Sequence, residues 1–346
     1  MKLLLLIILI ILLGVLSFFL TYLIIRYSTQ KKILVVPNDR SLHDKPTPSS
    51  GGIAITVSWY IGITILFLAG VLERDLYFAL LCGVLLAIIS LTDDIIGLKP
   101  IIRLVTHFIT AIAAFYFLGG LRPVIIPEIE MNYTYLIYPL AVIGIVWFIN
   151  LFNFMDGVDG FASVQAIIIC SVIFVFTWSL PTILLIVCIT GFLYWNWPKA
   201  RIFMGDVGST QLGFILIIIG IYYHNILEFS ILNWIMLASP FWFDATITLL
   251  RRWRNGEKLS QAHCKHAYQR IVQAGYSHEK VNMCLIIINL VNILMISLYR
   301  EIKILQVPLF LLTLLFYYLI TRFIDRKVPF ANGKPGTRSR ITETNT

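Results

Sequence analysis

Apolar residues along this chain come in long runs separated by short polar breaks. A membrane-crossing helix needs about 20 consecutive apolar residues, within a range of about 17–25. By that measure the pattern predicts eleven helical spans, at approximately 3–25, 52–71, 76–92, 104–118, 135–149, 161–178, 181–195, 211–227, 231–250, 281–298 and 306–323. The first run invites comparison with a secretory signal. At 23 residues it exceeds the signal core of about 7–15, and no small-residue cleavage site follows, so it reads as a retained helix. No internal period suggests repeats. The longest polar stretch is about 251–280, which leaves no room for a soluble domain. The expected architecture is an all-α polytopic membrane protein with about eleven transmembrane helices. A single membrane domain covers 1–330, and a polar tail at 331–346 is expected to be disordered.

Composition tightens this reading. Of 346 residues 59% are apolar and 13% charged, against roughly 45–50% and about 25% in a soluble domain. A buried core cannot absorb that excess, because it needs a polar shell. A soluble globular enzyme, a disordered chain and a secreted disulfide scaffold are excluded. The net charge of +9 would suggest nucleic acid in a soluble protein. Here it reflects basic loops on one side of a lipid bilayer, and no nucleic-acid partner is expected. Five cysteines form no CxxC pair and four lie in apolar runs, so they read as packing residues without a disulfide.

Alternate loops differ sharply in charge. The set at 26–51, 92–103, 150–160, 196–210, 251–280 and the C-terminal segment carries 22 Lys and Arg, and the other set carries 5. The positive-inside rule then puts the first set in the cytoplasm, with the N-terminus outside and the C-terminus inside. Nine of the ten Asp lie on or near that same side, Asp75 excepted. The rule does not require this. Ionised groups at membrane depth cost roughly 2.5–3.5 kcal/mol each, so clustered Asp at several inner helix ends needs a reason. A divalent cation supplies one.

Five patches on this face carry candidate chemistry. Asp93 and Asp94, in LTDDIIGL, sit about 100° apart on a helix. One can face a metal or substrate while the other caps the helix or pairs with a base; a merely polar helix end is the plainer alternative. In NLFNFMDGVDGF, Asn150, Asn153 and Asp156 recur every three residues and share a helical face, and Asp159 continues the series. Amides and carboxylates suit Mg²⁺ or a nucleobase edge, or else cap a helix junction. In WNWPKARIFMGDVGSTQLG, Asp206 precedes a span. There it either caps the helix or holds Mg²⁺ against a phosphate at the helix N-terminus. The GxxxxGK[ST] loop is absent. The basic loop around RRWRNGEKLSQAHCKHAYQR carries Arg270 and two histidines, His263 and His266. One thiol and two His without a partner pair do not make a zinc site. Polyphosphate binding is favoured over a simply solvated basic loop. In the first loop, Arg40, His43 and Lys45 also suit phosphate. Together this inventory fits metal-assisted phosphoryl transfer.

PNDRSLHDKPTPSSGG, LTDDIIGL, NLFNFMDGVDG, FMGDVGSTQLG and the AHCKHAYQR loop resemble the polyprenyl-phosphate N-acetylhexosamine-1-phosphate transferases, in the family's order and over about residues 35–275. The resemblance is closer to the bacterial enzymes that begin O-antigen or enterobacterial common antigen synthesis than to the one making peptidoglycan lipid I. That enzyme has PTMGG where this chain reads PTPSSGG, and consecutive His where this chain has His263 and His266. The resemblance implies that undecaprenyl phosphate attacks the β-phosphorus of a UDP-N-acetylhexosamine and releases UMP. It implies Mg²⁺, with Mn²⁺ as a substitute, at Asp206 and Asn153. Asp93 and Asp94 match a pair that orients or deprotonates the lipid phosphate, Asp156 a further essential acid, and Asp159 a position that meets uracil. Arg103 matches a basic residue near the diphosphate. His263, His266 and Arg270 fall in the loop that covers it, and Arg40, His43 and Asn150 join the substrate-binding set. GlcNAc is the default sugar, with FucNAc or QuiNAc as alternatives. The resemblance further implies a multi-pass protein of the bacterial inner membrane with its site facing the cytoplasm, as in relatives that are often homodimers. A transporter is the rival class, but transport favours polar groups at mid-depth, whereas here they collect on one face.

Overall fold

A computed structural model describes residues 3–37, 45–126, 129–131, 134–259, 261 and 263–330. Arg40, His43 and the tail at 331–346 lie outside the described residues. The architecture is nearly all helical, and each of the eleven apolar runs is helical over most of its length. The helices are α1 (Leu3–Lys31), α2 (Gly52–Leu68), α3 (Arg74–Leu81), α4 (Gly83–Ile96), α5 (Pro100–Phe117), α6 (Thr134–Phe154), α7 (Phe161–Thr177), α8 (Leu180–Asn196), α9 (Asp206–Asn225), α10 (Ile231–Leu237), α11 (Ser239–Arg254), α12 (Ala267–Gln273), α13 (His278–Glu301) and α14 (Gln306–Lys327). Seven stretches among the described residues are long and apolar enough to cross a membrane: α1, the continuous 74–96 stretch, α5, α6, α9, α13 and α14. Three more, α2, α7 and α8, are apolar helices of 17 residues. The chain is an integral membrane protein built as a helical bundle.

Two details depart from the all-helical expectation. The 119–134 loop holds a two-stranded antiparallel hairpin, β1 (Val124–Ile126) and β2 (Ile129–Met131). The 231–250 run is two helices meeting at Ala238, where Pro240 enters the first turn of α11. Proline lacks an N–H and is best tolerated in the first turn of a helix, where that N–H would have no intrahelical partner.

Helix α9 is buried along almost its whole length and forms the axis of the bundle. Close approach fixes one neighbour, α2. A Cβ on Gly52 of α2 would fall against Gly208 Cα and 2.6 Å from Gly208 N. Polar side chains tie the remaining helices. Gln165 of α7 accepts from Asn289 of α13 at 2.7 Å, and Asn292 donates to the Tyr317 hydroxyl of α14 at 2.8 Å. Such contacts between membrane helices contribute on the order of 0.6 kcal/mol each.

The two loop sets separated by charge lie at opposite ends of the bundle. Arg122 N–H donates to Asn225 Oδ1 at 2.9 Å, joining the hairpin loop to the end of α9. At the other end, Ser50, Asp94, Asp159, Asp206 and His278 meet.

Candidate active site

Three helix ends and two loops bring the acidic residues together. Helix α4 stops where Gly97 takes φ +67°, a left-handed backbone that glycine adopts freely. Asp93 Oδ1 accepts the Leu98 N–H at 2.6 Å, and Oδ2 accepts from Arg103 of α5 at 2.7 Å. Asp94 turns the other way. Its Oδ2 accepts the Ser50 hydroxyl at 2.7 Å, and Oδ1 accepts the Asp206 N–H at 3.3 Å. The adjacent acids therefore split: one closes the helix and pairs with an arginine, and the other faces the start of α9. Gly205 makes this approach possible. It has φ +76°, and a Cβ there would lie 2.8 Å from Asp94 Oδ2 and from Ser50 N.

Asp206 opens α9, where the helix dipole favours negative charge. Arg103 also reaches its Oδ2 at 3.2 Å, and the Asn153 side chain hydrogen-bonds to it. Arg103 thus spans two carboxylates that would otherwise repel. Asp156 and Asp159 sit in the short loop between α6 and α7, which turns at Gly160 with φ +74°. Burial, and then the charges of Asp206, Asp159 and Asp94, hold the Asp156 carboxyl well above the usual carboxylate range. Asp159 Oδ2 accepts the Ala200 N–H at 3.1 Å and lies 3.1 Å from His278 Nδ1.

Asn153, Asp156, Asp159, Asp206, Gln269 and His278 line a shared cavity of about 290 Å³, with Phe203 on its wall. Among the described residues, no three His, Cys, Asp or Glu side chains converge into a ready metal cage. Mg²⁺ does not require one: it keeps several waters and usually takes one or two carboxylates plus substrate phosphates. Asp206 and Asn153 offer oxygen donors side by side on the cavity wall, and the acids around them lack cationic partners other than Arg103 and His278 among the described residues. This donor set fits a hard divalent ion.

Other sequence candidates stand apart from the cavity. Asn150 turns toward α5, donating to Val146 O at 2.7 Å and meeting His107 Nδ1 at 3.1 Å. His266 is buried, 3.8 Å from Asp244 of α11, in a stack with His263 and Tyr268. Asp244 also accepts the Ala267 and Tyr268 N–H groups at 2.9 and 3.3 Å, and so anchors the start of α12. Burial, then His266 and Arg252, push His263 down to about 3. Arg270 faces away from the cavity and is 3% exposed. It donates to Asp325 at 2.8 Å and to the Val328 carbonyl of the segment after α14. Arg251 reaches Asp325 at 3.0 Å, and the Phe330 ring lies beneath Arg251, Lys265 and Arg270 at 5.3–5.7 Å. Arg252, also fully buried, gathers the 255–261 loop by donating to Glu257 and to the carbonyls of Lys258, Leu259 and Gln261.

His278, Gln269, Ser50 and Phe203 join the site without having been singled out from sequence. Phe203 and Ser50 flank motif residues. Gln269 lies inside the AHCKHAYQR motif, beside Arg270, whereas His278 begins α13 and only tertiary packing brings it in.

The glycosyl transferase family 4 profile matches residues 76–224. The chain is 31% identical over 265 residues, 70% of each protein, to a probable undecaprenyl-phosphate N-acetylglucosaminyl 1-phosphate transferase of Bacillus subtilis. It is 28% identical to the undecaprenyl-phosphate alpha-N-acetylglucosaminyl 1-phosphate transferase of Thermotoga maritima, over 74% of this chain and 80% of that one. A phospho-N-acetylmuramoyl-pentapeptide-transferase of Streptococcus suis is 31% identical over 51% of this chain and 58% of its own length. The profile's match runs through the acidic helix ends described above, and the chain belongs to the polyprenyl-phosphate N-acetylhexosamine-1-phosphate transferases of glycosyl transferase family 4.

Proposed function

We propose that this enzyme transfers N-acetylglucosamine 1-phosphate from UDP-GlcNAc to undecaprenyl phosphate at the cytoplasmic face of a bacterial inner membrane, starting a lipid-linked surface glycan. One observation carries the reading: three carboxylates, Asp156, Asp159 and Asp206, line a single cavity at the bundle end that bears the basic loops, and Arg103 and Asp94 contact Asp206 at its edge. An oxygen of the lipid phosphate attacks the donor's β-phosphorus. The bond from that phosphorus to the bridging oxygen breaks, and UMP leaves with the oxygen. The lipid phosphate is largely ionised at neutral pH, so a strong base is not obligatory. Repulsion between two anions is the larger obstacle, and preorganised charge offsets it. Arg103 holds Asp93 and Asp206 in place and offers its remaining donors to phosphate. Asp94, fixed by Ser50, orients the acceptor side. Asp159 addresses the nucleobase, and the α12 loop lies over the cavity through Gln269. When bound, Mg²⁺, or Mn²⁺ in its place, would be held by Asp206 and Asn153 and would neutralise the donor diphosphate.

The test is release of radiolabelled UMP from UDP-GlcNAc and undecaprenyl phosphate by the purified chain. EDTA should abolish it, and Mg²⁺ or Mn²⁺ should restore it. Full turnover in metal-free buffer sinks the metal assignment. Turnover only with a UDP-linked FucNAc or QuiNAc moves the sugar. Ion flux without UMP release replaces the reading with transport.

A further inference from the structure

We infer that the first turn of α13 is a clamp on Asp159, in which His278 is a positioning residue that aims the carboxylate at the nucleobase of the donor. The inference rests on the reading that Asp159 meets that base. Asp159 lies in a short loop between Gly157 and Gly160, and its electrostatic neighbours include Asp156. A short acidic side chain so placed has a reason to swing away from other acids and toward water. Four contacts from three segments prevent this. Ala200 N–H donates to Oδ2 at 3.1 Å, and His278 Nδ1, 3.1 Å from that oxygen, accepts the Asp159 backbone N–H at 3.3 Å. Asn282 donates to the Asp159 carbonyl at 2.9 Å, and Asn196 accepts the Gly160 N–H at 3.0 Å.

His278 and Asn282 are four apart on one helix and therefore share a face. Ser277 caps that helix by accepting the Lys280 N–H, which fixes the turn that presents both. Asn282 is wholly buried, so its grip is rigid. His278 and Asp159 both line the cavity.

Among the described residues, the side-chain partners of Asp159 engage Oδ2. Oδ1 is thereby aimed and left to accept one hydrogen bond. Uracil presents an imide N–H between two carbonyls. Cytosine presents a bare ring nitrogen at that position, which a carboxylate repels. A fixed acceptor therefore selects uracil, through the attraction to one base and the repulsion of the other. A carboxylate free to rotate selects far less.

The experiment uses the full chain in detergent, with the variants His278→Phe, which keeps a ring of similar bulk without its nitrogens, His278→Ala, and His278→Gln, which keeps an N–H donor. Steady-state kinetics with UDP-GlcNAc are paired with competitive inhibition by UMP and by CMP. The Phe and Ala variants, or whichever of them stays monodisperse, should raise KM about tenfold with kcat within about threefold. The UMP-over-CMP preference should shrink by a similar factor. His278→Gln should recover most of both. Wild-type KM and wild-type base preference in the Phe or Ala variant overturn the clamp, as does a fall in kcat at unchanged KM. A wild-type chain that neither turns over UDP-GlcNAc nor is inhibited by UMP overturns the proposed function instead, so the two failures are distinguishable.

Discussion

Replacing Gly52 by alanine tests whether the site is set by backbone contact between α2 and α9. The added methyl would fall against Gly208 Cα and 2.6 Å from Gly208 N, where ordinary contact begins at 3.4 Å. Neither partner is a flexible side chain that can move aside, so the two backbones must part by roughly 1 Å. Gly208 is two residues past Asp206, and Ser50, two residues before Gly52, holds Asp94. Overpacking of a well-filled site costs about 1–3 kcal/mol. A displacement of 1 Å at reacting groups costs on the order of 10²-fold in rate. Gly52→Ala should therefore lower UMP release by about two orders of magnitude, with a lower melting temperature but a folded, monodisperse protein in detergent. Gly144→Ala is the control, because nothing lies within 4 Å of a Cβ there; it should leave both quantities near wild type. Near-wild-type turnover in Gly52→Ala would refute the claim that this helix contact positions the acids.

Asp206→Asn keeps shape but removes charge, and should cost on the order of 10² or more in turnover at saturating Mg²⁺ with the melting temperature little changed; retained turnover rejects Asp206 as the ion's ligand. Asp244→Asn weakens the hold on two backbone N–H groups and on His266, so it should cost about 1–3 kcal/mol of stability and spare turnover to within about tenfold. His263 has a folded value pushed down to about 3 from an ordinary 6.5, so the unfolded chain binds the extra proton between those limits. Stability present above pH 6.5 is then lost as pH falls toward 3, and melting scans from pH 7.5 to 5 should slope downward less steeply in His263→Gln. An outside-only reporter should be active when fused within 119–134 and silent within 251–280; the reverse pattern turns the protein over in the membrane.

Much of the bundle was legible because lipid writes long apolar runs into a sequence, and all eleven runs proved helical. Where the signal was short it blurred: the 231–250 run concealed a break at Ala238, and the 119–134 loop concealed a hairpin. The acids Asp93, Asp94, Asp156, Asp159 and Asp206 were visible because charge at a helix end in a membrane chain stands out. What each one grips was not, because Ser50, Arg103 and His278 lie 44, 103 and 119 residues from their respective partners Asp94, Asp206 and Asp159. Arg270 shows the converse. A basic residue in a basic loop looks like a phosphate donor, and only packing against α14 reveals that its charge is already matched by Asp325.

That match has a practical consequence for anyone handling the molecule. Asp325, Val328 and Phe330 close the far side of the loop that bears the two histidines and Gln269, so the segment just after α14 is a structural part of the enzyme. A truncation boundary at 324 would strand Arg270 as a buried, uncompensated cation, a change that costs about 3–5 kcal/mol when one partner of a buried pair is removed. Affinity tags and fluorescent fusions belong beyond residue 330, behind a linker long enough to leave Phe330 seated beneath its three cations.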